Sequence, residues 1–324
     1  MKLQILIPQY KETDEVIKPL LDSIMIQQSV DLKNDVGVII VNDGTDIFLT
    51  EDFLNSYPFE IKYYKAEHRG VSATRNACLD YATADYVMFC DADDMFLNAC
   101  GLYIIFKEID NGGFDSLVSN FTEETRHPET KDIVYVNHDM DSTFVHGKVH
   151  RRKYLIDKKI RWNDALTIHE DSYFNILAQG LSKNVKYCPM PFYLWRWRDE
   201  SVCRHDPKYI LKTYNNMLDS NDALVDEFIK RGITDKAMVY SAMMILDAYY
   251  TMNKPEWVNQ ENKEYRDATE KRFSEYFKKH KNLWNLLPVQ DKMQMSNSIR
   301  ARSIGEGMLM ESITIDDWLR KVDS

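Results

Sequence analysis

Short apolar runs and longer amphipathic stretches take turns along the first part of the chain. Residues 3–7 (LQILI), 36–41 (VGVIIV) and 86–90 (YVMFC) are apolar runs bounded by charged or turn-forming residues, the pattern of strands buried on both faces. Pro8 stops the first run, Asn42-Asp43-Gly44 turns the chain after the second, and residues 61–65 supply a further strand. Between them Val16, Ile17, Leu20, Leu21 and Ile24 recur at helical spacing over 14–28. A short helix is predicted over 46–56, and 70–82 reads as helix. This rhythm predicts an α/β fold with a mostly parallel sheet flanked by helices, in which ligands bind beyond the carboxyl ends of the strands.

The pattern then becomes mixed. Strands are predicted over 114–121, 132–136, 185–188 and 192–197, and short helices over 151–157 and 171–179. From about Asp206 onward Ile210, Tyr214, Met217, Leu218, Leu224, Val225 and Phe228 form a helical stripe, 237–250 is nearly apolar all round, and 261–281 is a charged helical stretch. The chain therefore divides into an α/β domain over residues 1–205 and a helical C-terminal region over 206–324, which packs on the first domain or serves self-association into a homo-oligomer.

Three polar clusters fall at predicted strand ends: Pro8-Gln9-Tyr10, Asn42-Asp43 and Asp91-Asp93. The last is the richest in chemistry. Carboxylates crowded at the end of a buried strand raise one another's pKa, and a divalent cation removes the conflict. An all-oxygen set suits Mg²⁺ or Mn²⁺, ions that complete their shells with phosphate and water and so point towards a nucleotide diphosphate. Against this, Asp and Asn also crowd strand-to-loop turns for local hydrogen-bonding reasons.

Composition narrows the classes. The net charge of −10 argues against a protein that works by neutralising nucleic-acid phosphates. The sequence contains no apolar stretch long enough to span a bilayer and no signal-peptide pattern, so the expected location is cytoplasmic, with peripheral membrane contact left open. The 5 cysteines lack a C-x-x-C pair and read as reduced thiols. One local basic cluster, 148–161 (KVHRRKYLIDKKIR), stands out from the acidic background.

The segments LIPQYKE, VNDGT, HRGVSATRN, FCDADD, HGKVHRRKYL, HEDSYF and YLWRWRDES follow one another in this order. Together they resemble the GT-A glycosyltransferases of family 2, inverting enzymes that make bacterial capsule, teichoic acid and O-antigen sugars. The resemblance covers roughly residues 1–205. It implies a metal-dependent transfer from a nucleotide-diphospho sugar, expected to be a UDP-sugar, to a hydroxyl of a glycan or cell-surface polymer. Residue by residue, it implies Pro8, Tyr10 and Glu12 around the base, and Asp43 as acceptor of a base N–H, with Asn42 where many members carry aspartate. Arg75 would reach the rim. Asp91 would contact ribose or metal, Ala92 belongs to the same donor-binding segment, and Asp93 would ligate the metal directly, with Asp94 left to the loop or the donor sugar.

The same resemblance makes Asp171 the general base, with Glu170 beside it. Arg198 and Ser201 would clasp the diphosphate, with Arg196 as the rival to Arg198. His205 would be a third metal ligand. Lys148 and Tyr154 would face the acceptor, and Arg151, Arg152 and Lys153 would suit a polyanionic one. No comparable reading attaches to His146, His150 or His169. Three alternatives stay beside this one: the same chemistry on a DNA or protein acceptor, a non-catalytic sugar-nucleotide-binding module, and a nucleotidyltransferase. The last is disfavoured because no glycine follows the first strand before Gly37.

Overall fold

A computed structural model describes residues 1–199, 208–305 and 314–324, and the chain falls into two compact units, Met1–Asp199 and Glu200–Ser324. In the first unit the described strands are β1 (Leu3–Gln9), β2 (Val36–Asp43), β3 (Glu60–Ala66), β4 (Tyr86–Phe89), β5 (Met95–Phe96), β6 (Ser116–Arg126), β7 (Ile133–His138), β8 (Lys148–Arg151) and β9 (Val185–Trp195). The helices are α1 (Asp14–Met25), α2 (Leu32–Asp35), α3 (Glu51–Leu54), α4 (Val71–Tyr81), α5 (Gly101–Asp110), α6 (Arg152–Asp157) and α7 (Glu170–Leu181). The strands form a single sheet in the order β3-β2-β1-β4-β8-β6-β9-β5, with β7 on β6.

Alternation along the parallel strands sends successive side chains to opposite faces. Leu3, Ile5 and Ile7 of β1, with Val36, Val38 and Ile40 of β2, pack against Ile17, Leu20, Leu21 and Ile24 of α1 and Leu102, Ile105 and Phe106 of α5. On the other face Phe89 of β4 meets Trp162 and Phe174 of α7, with ring centroids 5.0 and 5.6 Å apart. In-register pairing of Gln9 with Asn42, and of Leu6 with Phe89, sets the ends of β1, β2 and β4 on one rim.

The sheet is mixed beyond β4. β8 runs antiparallel to β4 and to β6, β7 antiparallel to β6, and β5 antiparallel to β9, whereas β6 and β9 are parallel. Two local expectations change. The helix expected over 46–56 shrinks to α3, because the chain before it is held extended: the Ile47 carbonyl accepts from Gln9 and Asn42. The two strands expected over 185–188 and 192–197 are the one strand β9, which continues through Pro189 and Pro191 by shifting register on β6 between Ser119 and Phe121. At that irregularity the carbonyls of both prolines accept from asparagine side chains, Asn120 and Asn98.

The described helices of the second unit are α8 (Tyr209–Lys230), α9 (Thr234–Thr251), α10 (Pro255–Val258), α11 (Lys263–Leu286), α12 (Val289–Gly305) and α13 (Ile315–Asp323). Leu218 of α8, Ile245 and Tyr249 of α9, and Phe273, Tyr276 and Trp284 of α11 meet in its core. None of the described helices is long and apolar enough to cross a membrane.

Candidate active site

The rim begins where β1 and β2 end. Asn42 is fully buried, and its amide nitrogen donates to Gln9 Oε1 at 2.8 Å and to the Ile47 carbonyl at 2.9 Å, while its Oδ1 accepts from Thr45 N–H. A carboxylate could not donate there, which accounts for asparagine where an aspartate is common in the family pattern. Asp43, also buried, accepts from the backbone N–H groups of Arg69 and Gly70 at 2.9 and 3.1 Å, and its Oδ2 lies 2.9 Å from His68 Nδ1. Gly44 has φ +69°, and a Cβ on it would lie 2.3 Å from the His68 nitrogen, so only glycine lets the two turns approach. The Tyr10 ring stacks on His68 with centroids 5.0 Å apart and is half-exposed. Pro8 closes β1 behind it, and Glu12 Oε2 accepts the Tyr10 N–H at 2.8 Å, fixing the turn that presents the ring.

The carboxylates after β4 divide among three sets of partners. Asp91 Oδ1 takes Arg75 Nη2 at 2.8 Å. Asp93 Oδ2 takes Arg198 Nη1 at 3.0 Å, and Arg196 Nη1 reaches the Asp93 carbonyl at 3.3 Å. Asp94, buried beneath the loop, accepts the Tyr193 hydroxyl at 2.6 Å and the Arg196 N–H at 3.0 Å. Ala92 is buried between them, where a larger side chain would disturb this arrangement. Ser201 and His205 lie outside the described residues.

The structure adds a nitrogen that sequence reasoning passed over. His146 Nε2 sits 3.7 Å from Asp91 Oδ2 and 3.6 Å from Asp94 Oδ2, longer than hydrogen bonds. Its ring stacks between Phe144 and Tyr193, with centroids 5.4 and 4.9 Å away. Burial lowers its pKa against the pull of Asp91, so the imidazole is in the neutral form that ligates metals. Burial also opposes ionisation of Asp91, but the Arg75 guanidinium outweighs it and holds that carboxyl below the usual range. Asp93 and Asp94 shift the other way, through burial and then through neighbouring aspartate charge.

These groups fit a divalent cation. Ligand atoms of Asp91, Asp94 and His146 all lie within 4.8 Å of one another. The donor set of carboxylates and one imidazole suits Mn²⁺ or Mg²⁺, and the upward shifts of Asp93 and Asp94 are the electrostatic excess that such an ion relieves.

On the facing side, α7 starts at Glu170 directly after His169, whose φ of 61° turns the chain sharply into the helix. Glu170 Oε1 accepts from Arg75 Nη1 at 2.8 Å. Asp171 accepts its neighbour's N–H, from Ser172, at 2.8 Å. Burial and then the Glu170 charge push the Asp171 pKa up to about 7, with Arg75 and the Ser172 bond pulling against them. Arg75 itself is only 4% exposed and lies over the Trp162 ring at 4.5 Å. Arg75, expected at the rim, meets it through Asp91, and both of its outer nitrogens are engaged by protein carboxylates.

The basic cluster lies elsewhere. β8 runs antiparallel to β4 with Arg151 opposite Tyr86, so Arg151, Arg152 and Lys153 gather at the amino end of β4, away from Asp91. Arg152 donates to the Ala84 carbonyl, and Lys153 pairs with Asp157. Tyr154 is buried with its hydroxyl on the Ala178 carbonyl at 2.6 Å. Lys148 is buried too; desolvation lowers its pKa to about 8, and its Nζ donates to the His146 carbonyl at 3.2 Å.

With this geometry in place, comparison with known proteins is direct. The family model described as Glycosyl transferase family 2 matches residues 4–168. The Minor teichoic acid biosynthesis protein GgaA of Bacillus subtilis (strain 168) is 25% identical over 250 residues, 71% of this chain and 55% of that protein. The poly(ribitol-phosphate) beta-N-acetylglucosaminyltransferase TarS of Staphylococcus aureus is 25% identical over 189 residues, 55% of this chain and 32% of TarS. The chain thus spans about half the length of the first relative and a third of the second. A crystal structure of an S. aureus TarS fragment in complex with UDP matches with a TM-score of 0.63 at 16% identity, covering 94% of this chain and 88% of that one. The mannosyltransferase PcManGT from Pyrobaculum calidifontis, in complex with GDP-Man and Mn²⁺, matches with a TM-score of 0.53 at 12% identity, covering 94% and 83%. At these identities the structural likeness is one of fold.

Proposed function

The chain belongs to glycosyl transferase family 2, and on that premise we propose that it moves a sugar from a nucleotide-diphospho sugar to a hydroxyl of a cell-surface glycan or polymer, in a metal-dependent step that inverts the anomeric centre. The observation that carries this reading is the buried Arg75 guanidinium, 2.8 Å from Asp91 and 2.8 Å from Glu170, the residue before Asp171. It puts a carboxylate suited to the donor side and a carboxylate suited to proton transfer around one small site.

In the proposed displacement the acceptor oxygen bonds to the anomeric carbon as the bond from that carbon to the diphosphate breaks. The leaving electron pair stays on the diphosphate. An alcohol is a poor nucleophile at neutral pH, and Asp171 takes its proton as the new bond forms. A pKa of about 7 makes Asp171 a stronger base than an ordinary carboxylate while part of it is still ionised at neutral pH. Glu170, engaged by Arg75, is left to orientation. Asp91 with Asp94 and His146, or with Asp93 once it parts from Arg198, would hold a divalent cation, whose contribution when bound is to neutralise charge on the leaving diphosphate. Arg198, with Ser201, is the proposed clasp on the diphosphate oxygens. Tyr10 is the proposed platform for the base, with Pro8 and Glu12 shaping its turn. Asp43 would accept a base N–H in the place that His68 now takes.

The donor proposed is a UDP-sugar, because TarS is an N-acetylglucosaminyltransferase by name and its fold is matched in a complex with UDP. The names of GgaA and TarS favour a phosphate-linked polymer as acceptor. A panel of nucleotide sugars incubated with the protein and Mn²⁺, scored for nucleotide diphosphate release, tests the reading. One donor is expected to turn over slowly with water as acceptor, with release lost in Asp93→Asn and in Asp171→Asn. Absence of turnover together with absence of UDP binding by calorimetry in the presence of Mn²⁺ would overturn it.

A further inference from the structure

Arg75 stands out among the charged groups of the site because it joins carboxylates of two different segments, Asp91 and Glu170. It stands on α4, is 4% exposed, and its Nη1 and Nη2 bond to carboxylates from two other elements, each at 2.8 Å. Its plane rests on Trp162, whose ring is parallel to that of Phe174 in α7 at 4.2 Å and edge-on to Phe89 in β4 at 5.0 Å. The guanidinium is therefore seated on an aromatic plate shared by the strand that ends at Asp91 and the helix that starts at Glu170. A planar fork gripping two carboxylates fixes their separation in a way that a single ammonium cannot.

We propose that Arg75 is a positioning residue for the transfer, which fixes the donor-side carboxylate Asp91 against the start of α7 and thereby sets where Asp171 stands and which charges face it. This rests on the assignment of Asp171 as the base. The charged groups that face Asp171 are Glu170 on its own helix, Arg75 on α4, Asp91 after β4 and Lys148 on β8. Arg75 is the guanidinium that restrains it, beside the Lys148 ammonium: Glu170 and Asp91 drive the proton on, and Arg75 opposes them. The same fork occupies Glu170, whereas no bond from an arginine to Asp171 is seen among the described residues.

The test reads Asp171 itself and needs no turnover. In the full chain labelled with ¹³C at aspartate carboxyls, the Asp171 signal is identified by its loss in Asp171→Asn and titrated by NMR. Wild type is expected to titrate at about 7. Arg75→Met removes the opposing charge and is expected to weaken Asp171 as an acid about tenfold; Glu170→Gln removes a like charge and is expected to strengthen it by a similar factor. Arg75→Lys keeps the charge and is expected to stay near wild type in the titration while donor turnover falls, because one ammonium does not hold both carboxylates. An unchanged titration in folded Arg75→Met overturns the inference. If circular dichroism shows that Arg75→Met is unfolded, an unchanged titration in folded Arg75→Gln overturns it instead. Failure of the base assignment would show separately, as full turnover in Asp171→Asn.

Discussion

At Asn42 one side-chain nitrogen decides the chemistry of the position. Besides the Thr45 and Tyr63 hydroxyls, it donates within a buried turn to Gln9 Oε1 at 2.8 Å and to the Ile47 carbonyl at 2.9 Å, neither of which carries a proton to return. Asn42→Asp keeps the shape and removes the donor, and leaving buried acceptors unpaired costs about 1–3 kcal/mol. Denaturant unfolding is expected to show a loss of that order; a variant as stable as wild type would mean that these bonds contribute nothing net. Next to it, Asp43 is legible from sequence as a strand-end carboxylate, but its partners, the N–H groups of Arg69 and Gly70, lie far along the chain. His146 was illegible. An isolated histidine has no spacing pattern, and its value comes from facing Asp91 and Asp94 across the β4–β8 pairing.

Among the elements, α7 is the one whose start matters most, since it delivers Glu170 and Asp171 together to a buried cation. Hydrophobic periodicity located this helix to within a residue or two, because Tyr173, Phe174, Leu177 and Ala178 form its buried stripe. In the second unit, α8 and α11 are joined by a different charge cluster. Asp222 accepts from Arg272 and Lys279 and lies 2.6 Å from His280 Nε2. Burial raises the Asp222 pKa, but hydrogen bonds from His280, Lys279 and Arg272 outweigh it and hold the carboxyl below the usual range. A depressed folded pKa contributes stability above the unfolded value of about 3.9, and that contribution is lost as pH falls through the folded value. Asp222→Asn is therefore expected to be less stable than wild type at neutral pH, with the difference shrinking below about pH 4. Thermal unfolding across pH checks this, and a pH-independent gap would show that the titration of Asp222 is not its source. Asp222, Asp226 and His280 come close enough together to resemble a metal cluster, but Arg272 and Lys279 already supply the cations.

For the whole molecule the direction of β8 has the widest consequence. Read as a sequence, KVHRRKYL is a basic segment next to site motifs, and a polyanionic acceptor is its natural partner. Read in the sheet, Arg151 pairs with Tyr86, five residues before Asp91, which at about 3.3 Å per residue sets it roughly 16 Å from the catalytic rim. Exchanging Arg151, Arg152 and Lys153 together for glutamine is expected to leave the salt dependence of acceptor use unchanged. A flattened salt dependence would return these residues to acceptor binding.

Local patterning in the sequence alone determined the order of the strands up to β4 and of the helices between them apart from the single-turn α2, the helical character of the C-terminal region, and the polar clusters at strand ends. These are properties of neighbours in the chain, encoded by side-chain period and by turn residues. Only the tertiary structure decided which of those clusters share a site and what each charge does there. Arg75 and Glu170 are 95 residues apart in sequence, and their bond follows from α4 packing on β1 and β2 while α7 packs against Phe89 of β4. The reversal of β8 carried the basic cluster away from the rim and brought Lys148 and His146 to it, because an antiparallel strand inverts which of its ends lies beside its partner's carboxyl terminus.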